Sequence, residues 1–412
     1  MQEFAPSDID FRRFVPPGGL VAWGQGCAEP APLTEALMKQ SEQIGRFRVF
    51  VGGSFAASVD PVHTGHVAYM SYIGMGRNAD LARAGKLTIL TSAYSQIADA
   101  LDPVDLLIVQ AAEGPDGQLR YAMACEYLGD LERSARAIMV EVNAQAPWSP
   151  DAPVIDRTRI VAATRSSRSP IEMPGGEPDG TMRQIGDIVA GLIGDGATLQ
   201  IGVGSLPDAM LRSLHSHRDL GIHSGAIGDG VAALIESGVV NNARKTIDKG
   251  VTVAGIFFGG ERLNRLAHGN GAITLAPTSY THNQRVIGAI ERFVSLNSAI
   301  EVDLSGAVNS EVANGAYVGG VGGAAEFTRA AALSRGGRPI IAAASTAARG
   351  KVSRIVAKLS GPTTISRSDA GIVVTEFGAV DLRGRSLEQR RRLMLSIAHP
   401  DFREQLEAAT TF

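Results

Sequence analysis

The sequence predicts an α/β protein of two open α/β-sheet domains, on three observations. Short apolar runs rich in β-branched residues alternate with helical stretches throughout the 412 residues, the pattern of parallel strands buried on both faces. Two of these runs lead through glycine-rich turns into helices, TLQIGVGSLPDAM (198–210) and DLGIHSGAIGDGVAALIESG (219–238). Between the two halves the apolar rhythm gives way to Ser, Pro, Gly and charge in ATRSSRSPIEMPGGEPDGTMR (163–183), a linker composition. The expected domains are therefore residues 1–175 and 176–412.

In chain order, RVFVGG (48–53), LTILTS (87–92), DLLIVQ (105–110) and AIMVEVN (137–143) read as buried parallel strands of the first half. TLQIG, LGIHSG, VTVAGIF, IEVDL, PIIAAAS and IVVTEFG continue the alternation in the second. A content of 44% hydrophobic and 20% charged residues fits a folded chain long enough for two cores. With 39 basic and 42 acidic residues the net charge is -3, which gives no general attraction to nucleic acid. Cys27 and Cys125 are the only cysteines; two in unrelated contexts suggest neither a disulfide framework nor a Cys-based zinc site, and suit a reducing cytoplasm. The first residues, MQEFAPSDIDFRRF, hold no apolar segment of signal-peptide length, and no run of 18 apolar residues occurs. A cytoplasmic chain with no membrane partner is expected.

In a parallel α/β sheet the strand carboxyl ends and the following helix amino termini share one edge, where unpaired N–H groups and the helix dipole favour anions. Gly202 and Gly204 stand in such a turn, before a helix opened by Pro207 and Asp208. His223 is expected at a strand end beside the second turn, either handling a proton or bonded to a backbone carbonyl. Asp229 opens the next helix, as an N-cap or as a catalytic carboxylate. His63 and His66 lie three apart but lack the Glu of His-Glu-x-x-His, so no metal is expected.

Seven segments in order, DGATLQIGVGSLPDAM (195–210), DLGIHSGAIGDGVAALIESGVV (219–240), NSAIEVDLSGAV (297–308), YVGGVGGAAEF (317–327), STAARGKVSRIV (345–356), VVTEFGAVDLRGRSL (373–387) and IAHPDFREQL (397–406), resemble the successive motifs of the acetyl-CoA hydrolase/transferase family. VDLLIVQ (104–110) and VEVNAQAP (140–147) extend the resemblance into the first half. It implies two α/β domains of the CoA-transferase type, CoA lying across an interdomain cleft, an acyl-CoA substrate and a homo-oligomer. It also implies a glutamate that attacks the thioester to give an anhydride and then a glutamyl-CoA. Backbone contacts to CoA or to a developing oxyanion are expected from Gly202, Gly204, Gly320, Gly322 and Gly323, and proton handling from His223 and Asp229.

The chain departs from the family at the nucleophile. Where members read His-Thr-Glu-Met, it reads His223-Ser224-Gly225-Ala226, and glycine cannot form an acyl anhydride. Two polar positions change alongside it: the family's Leu-Thr-Gly-Gln is Leu304-Ser305-Gly306-Ala307, and its Gly-Val-Gly-Gly-Gln is Gly320-Val321-Gly322-Gly323-Ala324. The expected function is an acyl-CoA-processing enzyme that uses water, whether for thioester hydrolysis or hydrolytic carbon–carbon cleavage. The alternatives are CoA transfer through another carboxylate, with Glu126, Glu301, Asp303 and Glu376 as candidates, and a nonenzymatic CoA-binding subunit. His282, after Tyr280, is a further candidate near the site. Lys351, Arg354 and Arg383 are read as domain ties or as contacts to CoA phosphates.

Overall fold

Seven parallel strands form the first sheet of the computed structural model, which describes residues 2–173 and 176–409. Their spatial order is Leu87–Ile89, Val67–Ser71, Phe47–Phe50, Leu20–Trp23, Leu106–Glu113, Ala137–Asn143 and Ile160–Ser166. Leu119–Tyr121 pairs antiparallel with Leu106–Glu113. The unbroken apolar runs of the inner strands follow from burial on both faces. One of those faces packs Trp23, Phe47, Tyr69, Ile108 and Met139 into a single cluster. The chain first adds strands on one side of Leu20–Trp23 and then switches to the other with Leu106–Glu113.

The second unit repeats the scheme with the order Gly221–Ile227, Thr198–Ile201, Phe293–Ser298, Arg338–Ala342, Ile372–Thr375 and Gly378–Asp381. All pairs are parallel except the last. Its switch lies between Thr198–Ile201 and Phe293–Ser298. Val302, Leu304, Ile341, Val373, Leu382 and Ile397 make one core cluster, and Phe293 with Phe327 another.

The two compact units are not consecutive halves of the chain. Residues 253–281 and 316–320 group with the first unit, the remainder beyond 175 with the second. Backbone bonds account for the first return: Cys125 N–H donates to Gly255 O at 3.0 Å and Phe257 N–H to Met123 O at 2.8 Å. Asp130 then accepts from the Thr278 and Ser279 hydroxyls at 2.7 and 2.5 Å. The expected boundary at 175/176 falls beside Pro174 and Gly175, outside the described residues.

Several local expectations are corrected. The expected linker begins inside a strand, because Ile160–Ser166 pairs with Ala137–Asn143 despite its polar end; at a sheet edge, polar side chains meet solvent without loss of the ladder. IEVDL is not a main-sheet strand: Glu301–Asp303 pairs in a three-stranded sheet with Val308–Asn309 and Ile355–Val356. The main-sheet position belongs to Phe293–Ser298, whose apolar run is the better match to a doubly buried strand. The helix after Gly204 starts at Ser205, ahead of Pro207. The N-cap of the helix Asp229–Glu236 is Gly228, and Asp229 is its first helical residue. His223 lies inside the seven-residue strand Gly221–Ile227 rather than at its end.

Candidate active site

Ligands of open α/β sheets bind outside the strand carboxyl ends at the switch point, and the second unit has a cavity of about 290 Å³ there. Val203, Gly204, Ser205, Ser298, Ala299 and Arg354 are among its lining residues. Gly202 N–H is used by Leu296 O at 3.1 Å. Gly204 has φ +119, a conformation that L side chains rarely adopt, and it caps the helix Ser205–Arg212. Ser205, Leu206 and Pro207, the first residues of that helix, also line the cavity, which sets the helix amino terminus beside it. Arg354 Nη1 donates to Ala299 O at 3.1 Å, and its Nε has no hydrogen-bond partner among the described residues. Burial lowers the Arg354 pKa, opposed by Glu376. Helix amino terminus and guanidinium together suit an anionic group.

On the strand Gly221–Ile227, Gly225 meets a ring. A Cβ at Gly225 would stand 2.9 Å from both Cε1 and Nε2 of His282. One at Gly323 would stand 2.4 Å from His282 Cδ2 and 2.9 Å from Phe327 Cε2. Phe327, on the helix Ala324–Leu333, packs its ring 4.5 Å from that of His282. The imidazole thus takes the volume that side chains at both glycines would need. It is buried, and burial lowers its pKa to about 3, helped by His223, so it is neutral at physiological pH. His223 is fully buried, its Nδ1 3.9 Å from Asp248 Oδ2.

The other expected glycines have separate settings. Gly320 belongs to the first unit, where a Cβ would stand 2.4 Å from Tyr72 O and the residue bridges Ile73. Gly322, at φ +51, has open space around its Cα. Ala307 lies in a turn closed by Asp303, which accepts its N–H at 3.0 Å.

The first sheet's carboxyl edge holds a buried polar cluster of which the sequence reading singled out Glu126 alone. Gln25, Gly53, Tyr72 and Tyr94 follow the ends of Leu20–Trp23, Phe47–Phe50, Val67–Ser71 and Leu87–Ile89. Gln25 Oε1 accepts from Gly53 N–H and the Tyr72 hydroxyl, both at 2.8 Å. Its Nε2 donates to Glu126 Oε2 at 2.9 Å, and the Tyr94 hydroxyl donates to the same oxygen at 2.7 Å. A Cβ at Gly52 would stand 1.8 Å from Gln25 Oε1, so glycine makes room for the amide. Glu126 is 1% exposed with φ +26, and its Oε1 has no hydrogen-bond partner among the described residues. Burial raises its pKa to about 7 against the opposing bonds from Tyr94 and Gln25. The signal for this edge was present in LVAWGQG (20–26) and RVFVGG (48–53), apolar runs that end in glycine turns like those of the second half.

The other carboxylates are satisfied by structure. Glu29, also raised to about 7 by burial, accepts from Ser54 Oγ and Phe55 N–H at 2.6 Å each and from Ala56 N–H at 3.1 Å. Glu301 accepts from Asn309, Ser360 and Gly361. Asp303 closes its own turn through Ser305 and Ala307. Glu376 accepts from Ser345 N–H and Oγ at 2.8 and 2.6 Å. Arg383 binds Asp381 and Gly337 O. His63 sits in the 3-10 turn Pro61–Gly65, with His66 as its C-cap. Cys27 is buried, which raises its pKa to about 12. Among the described residues no group of three or more His, Cys, Asp or Glu could hold a metal, and no helix is long and apolar enough to cross a membrane.

Residues 259–410 match the family model described as acetyl-CoA hydrolase/transferase C-terminal domain. The chain is 34% identical over 399 residues to the 4-hydroxybutyrate coenzyme A transferase of Clostridium kluyveri, covering 94% of this chain and 92% of that protein. It superposes on the crystal structure of RipA from Yersinia pestis with a TM-score of 0.92 at 32% identity, covering 98% and 96% of the two chains. With the 4-hydroxybutyrate CoA-transferase of Porphyromonas gingivalis the TM-score is 0.82 at 30% identity and the same coverage.

Proposed function

Because the chain belongs to the acetyl-CoA hydrolase/transferase family, we propose that it processes an acyl-CoA with water as the attacking group. The reaction is hydrolysis of the thioester or hydrolytic carbon–carbon cleavage of the acyl group. One observation carries this reading: Gly225, read as the counterpart of the family's nucleophilic glutamate, has the His282 ring within 2.9 Å of any Cβ it could bear. Covalent catalysis needs a positioned nucleophile, and this backbone position offers none. Gly204 and Arg354, which line the second unit's cavity, are assigned to CoA or its phosphates, with Gly202, Gly320, Gly322 and Gly323 as further backbone contacts. His223, within 3.9 Å of Asp248, is assigned to proton handling, and Asp229 is the second acid–base candidate. The reading includes no metal, a cytoplasmic location and a homo-oligomer.

A second reading, transfer of CoA to a carboxylate acceptor, is supported by Glu126, the one carboxylate of the four candidates with a fully buried oxygen left unbonded among the described residues. Incubation of the protein with short, aromatic and cyclic acyl-CoAs, with and without acetate, separates the two. CoA release independent of acetate and without a covalent adduct by intact mass is expected. Acetate-dependent exchange with an adduct would overturn water-based chemistry in favour of the second reading. Binding without turnover of any thioester would leave a CoA-binding subunit.

A further inference from the structure

The cavity of about 290 Å³ beside the helix Ser205–Arg212 is lined, among the described residues, by the second unit alone, and its walls are unlike. Met182, Val203, Leu206, Pro207, Ile300 and Ala344 form an apolar side. Arg354 is the one charged residue among the described residues that line it. Its position is fixed by two bonds: Nη1 donates to Ala299 O at 3.1 Å, and the Arg354 N–H donates to Ser345 O at 2.8 Å. Nε has no hydrogen-bond partner among the described residues. Glu376, whose charge acts on Arg354, accepts from Ser345 N–H and Oγ instead of from the guanidinium. A guanidinium partly withdrawn from water without a bonded anion is unfavourable, and its planar fork matches the two oxygens of a carboxylate or phosphate.

Charge and size narrow the class of anion. One guanidinium and a helix amino terminus worth roughly half an elementary charge stand against the opposing charge of Glu376, a balance that suits a singly charged group. A phosphate monoester carries about two charges at neutral pH. The volume is at the small end of the roughly 300–1,000 Å³ usual for drug-sized ligands, enough for a short chain and not for a whole coenzyme. We propose that the cavity binds a free short-chain carboxylic acid in its ionised form, with its head on Arg354 and its stem on the apolar side. The inference rests on the acyl-CoA reading above, because hydrolysis of a thioester releases such an acid. It goes beyond that reading in giving the cavity a ligand other than CoA. Where the phosphates of CoA occupy the same cavity, acid and CoA exclude one another.

The test is calorimetric titration of the purified chain with acetate, propanoate, butyrate and inorganic phosphate, and with butyrate again in the presence of excess CoA. Affinity should rise about fourfold for each methylene from acetate to butyrate, and phosphate should bind more weakly than butyrate. Arg354→Gln should lose roughly tenfold or more in butyrate affinity, and Arg354→Lys should recover part of it, having the charge without the fork. Equal affinities for the three acids, tighter binding of phosphate, or an unchanged butyrate affinity in Arg354→Gln overturns the inference. Should that variant fail to fold, Val203→Asp takes its place, since Val203 is 43% exposed and lines the cavity. Its added carboxylate should repel butyrate, and an unchanged affinity overturns the inference instead. Displacement of butyrate by CoA supports both the acid site and the CoA assignment. Arg354-dependent butyrate binding that CoA leaves intact supports the acid site and removes CoA from this cavity. Arg354-dependent CoA binding without any butyrate binding overturns the inference and leaves the CoA assignment standing.

Discussion

At the first sheet's carboxyl edge, Gln25, Tyr72, Tyr94 and Glu126 interlock in a buried cluster. At the second sheet's carboxyl edge, the turn through Val203 and Gly204 lines a cavity, and Gly225 and Gly323 give their space to His282. The two sheets share a parallel ladder with a switch of strand order, so the scaffold alone does not decide which edge carries side-chain chemistry. What differs is where glycine stands. In the first unit Gly52 admits one amide that organises the ends of four strands. In the second, Gly225 and Gly323 admit a neutral imidazole and Gly204 caps a helix whose amino terminus lines a cavity. The first edge thus closes its polar side chains on one another, and the second sets a helix amino terminus beside a cavity.

The sharpest way to break this contrast is to refill the second edge. Gly225→Glu alone should give no glutamyl-CoA adduct by intact mass, because the His282 ring occupies the path of the side chain. Gly225→Glu combined with His282→Ala should give one. An adduct on the single variant would show that the ring yields easily and that the vacancy at 225 alone suppresses covalent chemistry.

A smaller effect is expected from Gly323→Ala, whose Cβ would meet His282 at 2.4 Å and Phe327 at 2.9 Å. Overpacking of this kind costs roughly 1–3 kcal/mol, a fall in Tm of roughly 2–4 °C per kcal/mol for a unit of this size. Thermal unfolding of Gly225→Ala, with its wider 2.9 Å approach, should show the smaller drop. The reverse order would mean that the ring is not clamped between these two positions.

A pH-dependent effect sharpens the first edge. Glu126 has a folded pKa of about 7, above its ordinary value of 4.5. The native state therefore holds more protons than the unfolded chain between those values, and stability falls as pH rises through that window. The cost is complete above about pH 7 and absent below about 4.5. Glu126→Gln should accordingly raise Tm by roughly 5–15 °C at pH 8 and leave it unchanged at pH 4. A flat difference across pH would assign Glu126 an ordinary packing role.

Much of the scaffold was legible because its signals are local. Apolar runs such as LLIVQ (106–110) and AIMVEVN lie within the strands Leu106–Glu113 and Ala137–Asn143, and the glycine turns do open helices at Ser205 and Asp229. IEVDL misled because alternation by itself does not distinguish a short strand of a small sheet from one of the main sheet; the competing run at 293–298 decided the matter by burial on both faces. Glu126 was legible only as one carboxylate among four. Its distinction is a missing partner, and hydrogen-bond partners are not written in residue spacing.

The sequence by itself determined the α/β class, the family motifs and the absence of a side chain at 225. Tertiary structure alone decided that Gln25 bonds Glu126, 101 residues away, and that the ring of His282 fills the space beside both Gly225 and Gly323. The reason is physical: helix and strand periods repeat over a few residues and can be read from neighbours. The meeting of distant side chains depends on the closure of long loops and on which volumes packing leaves empty.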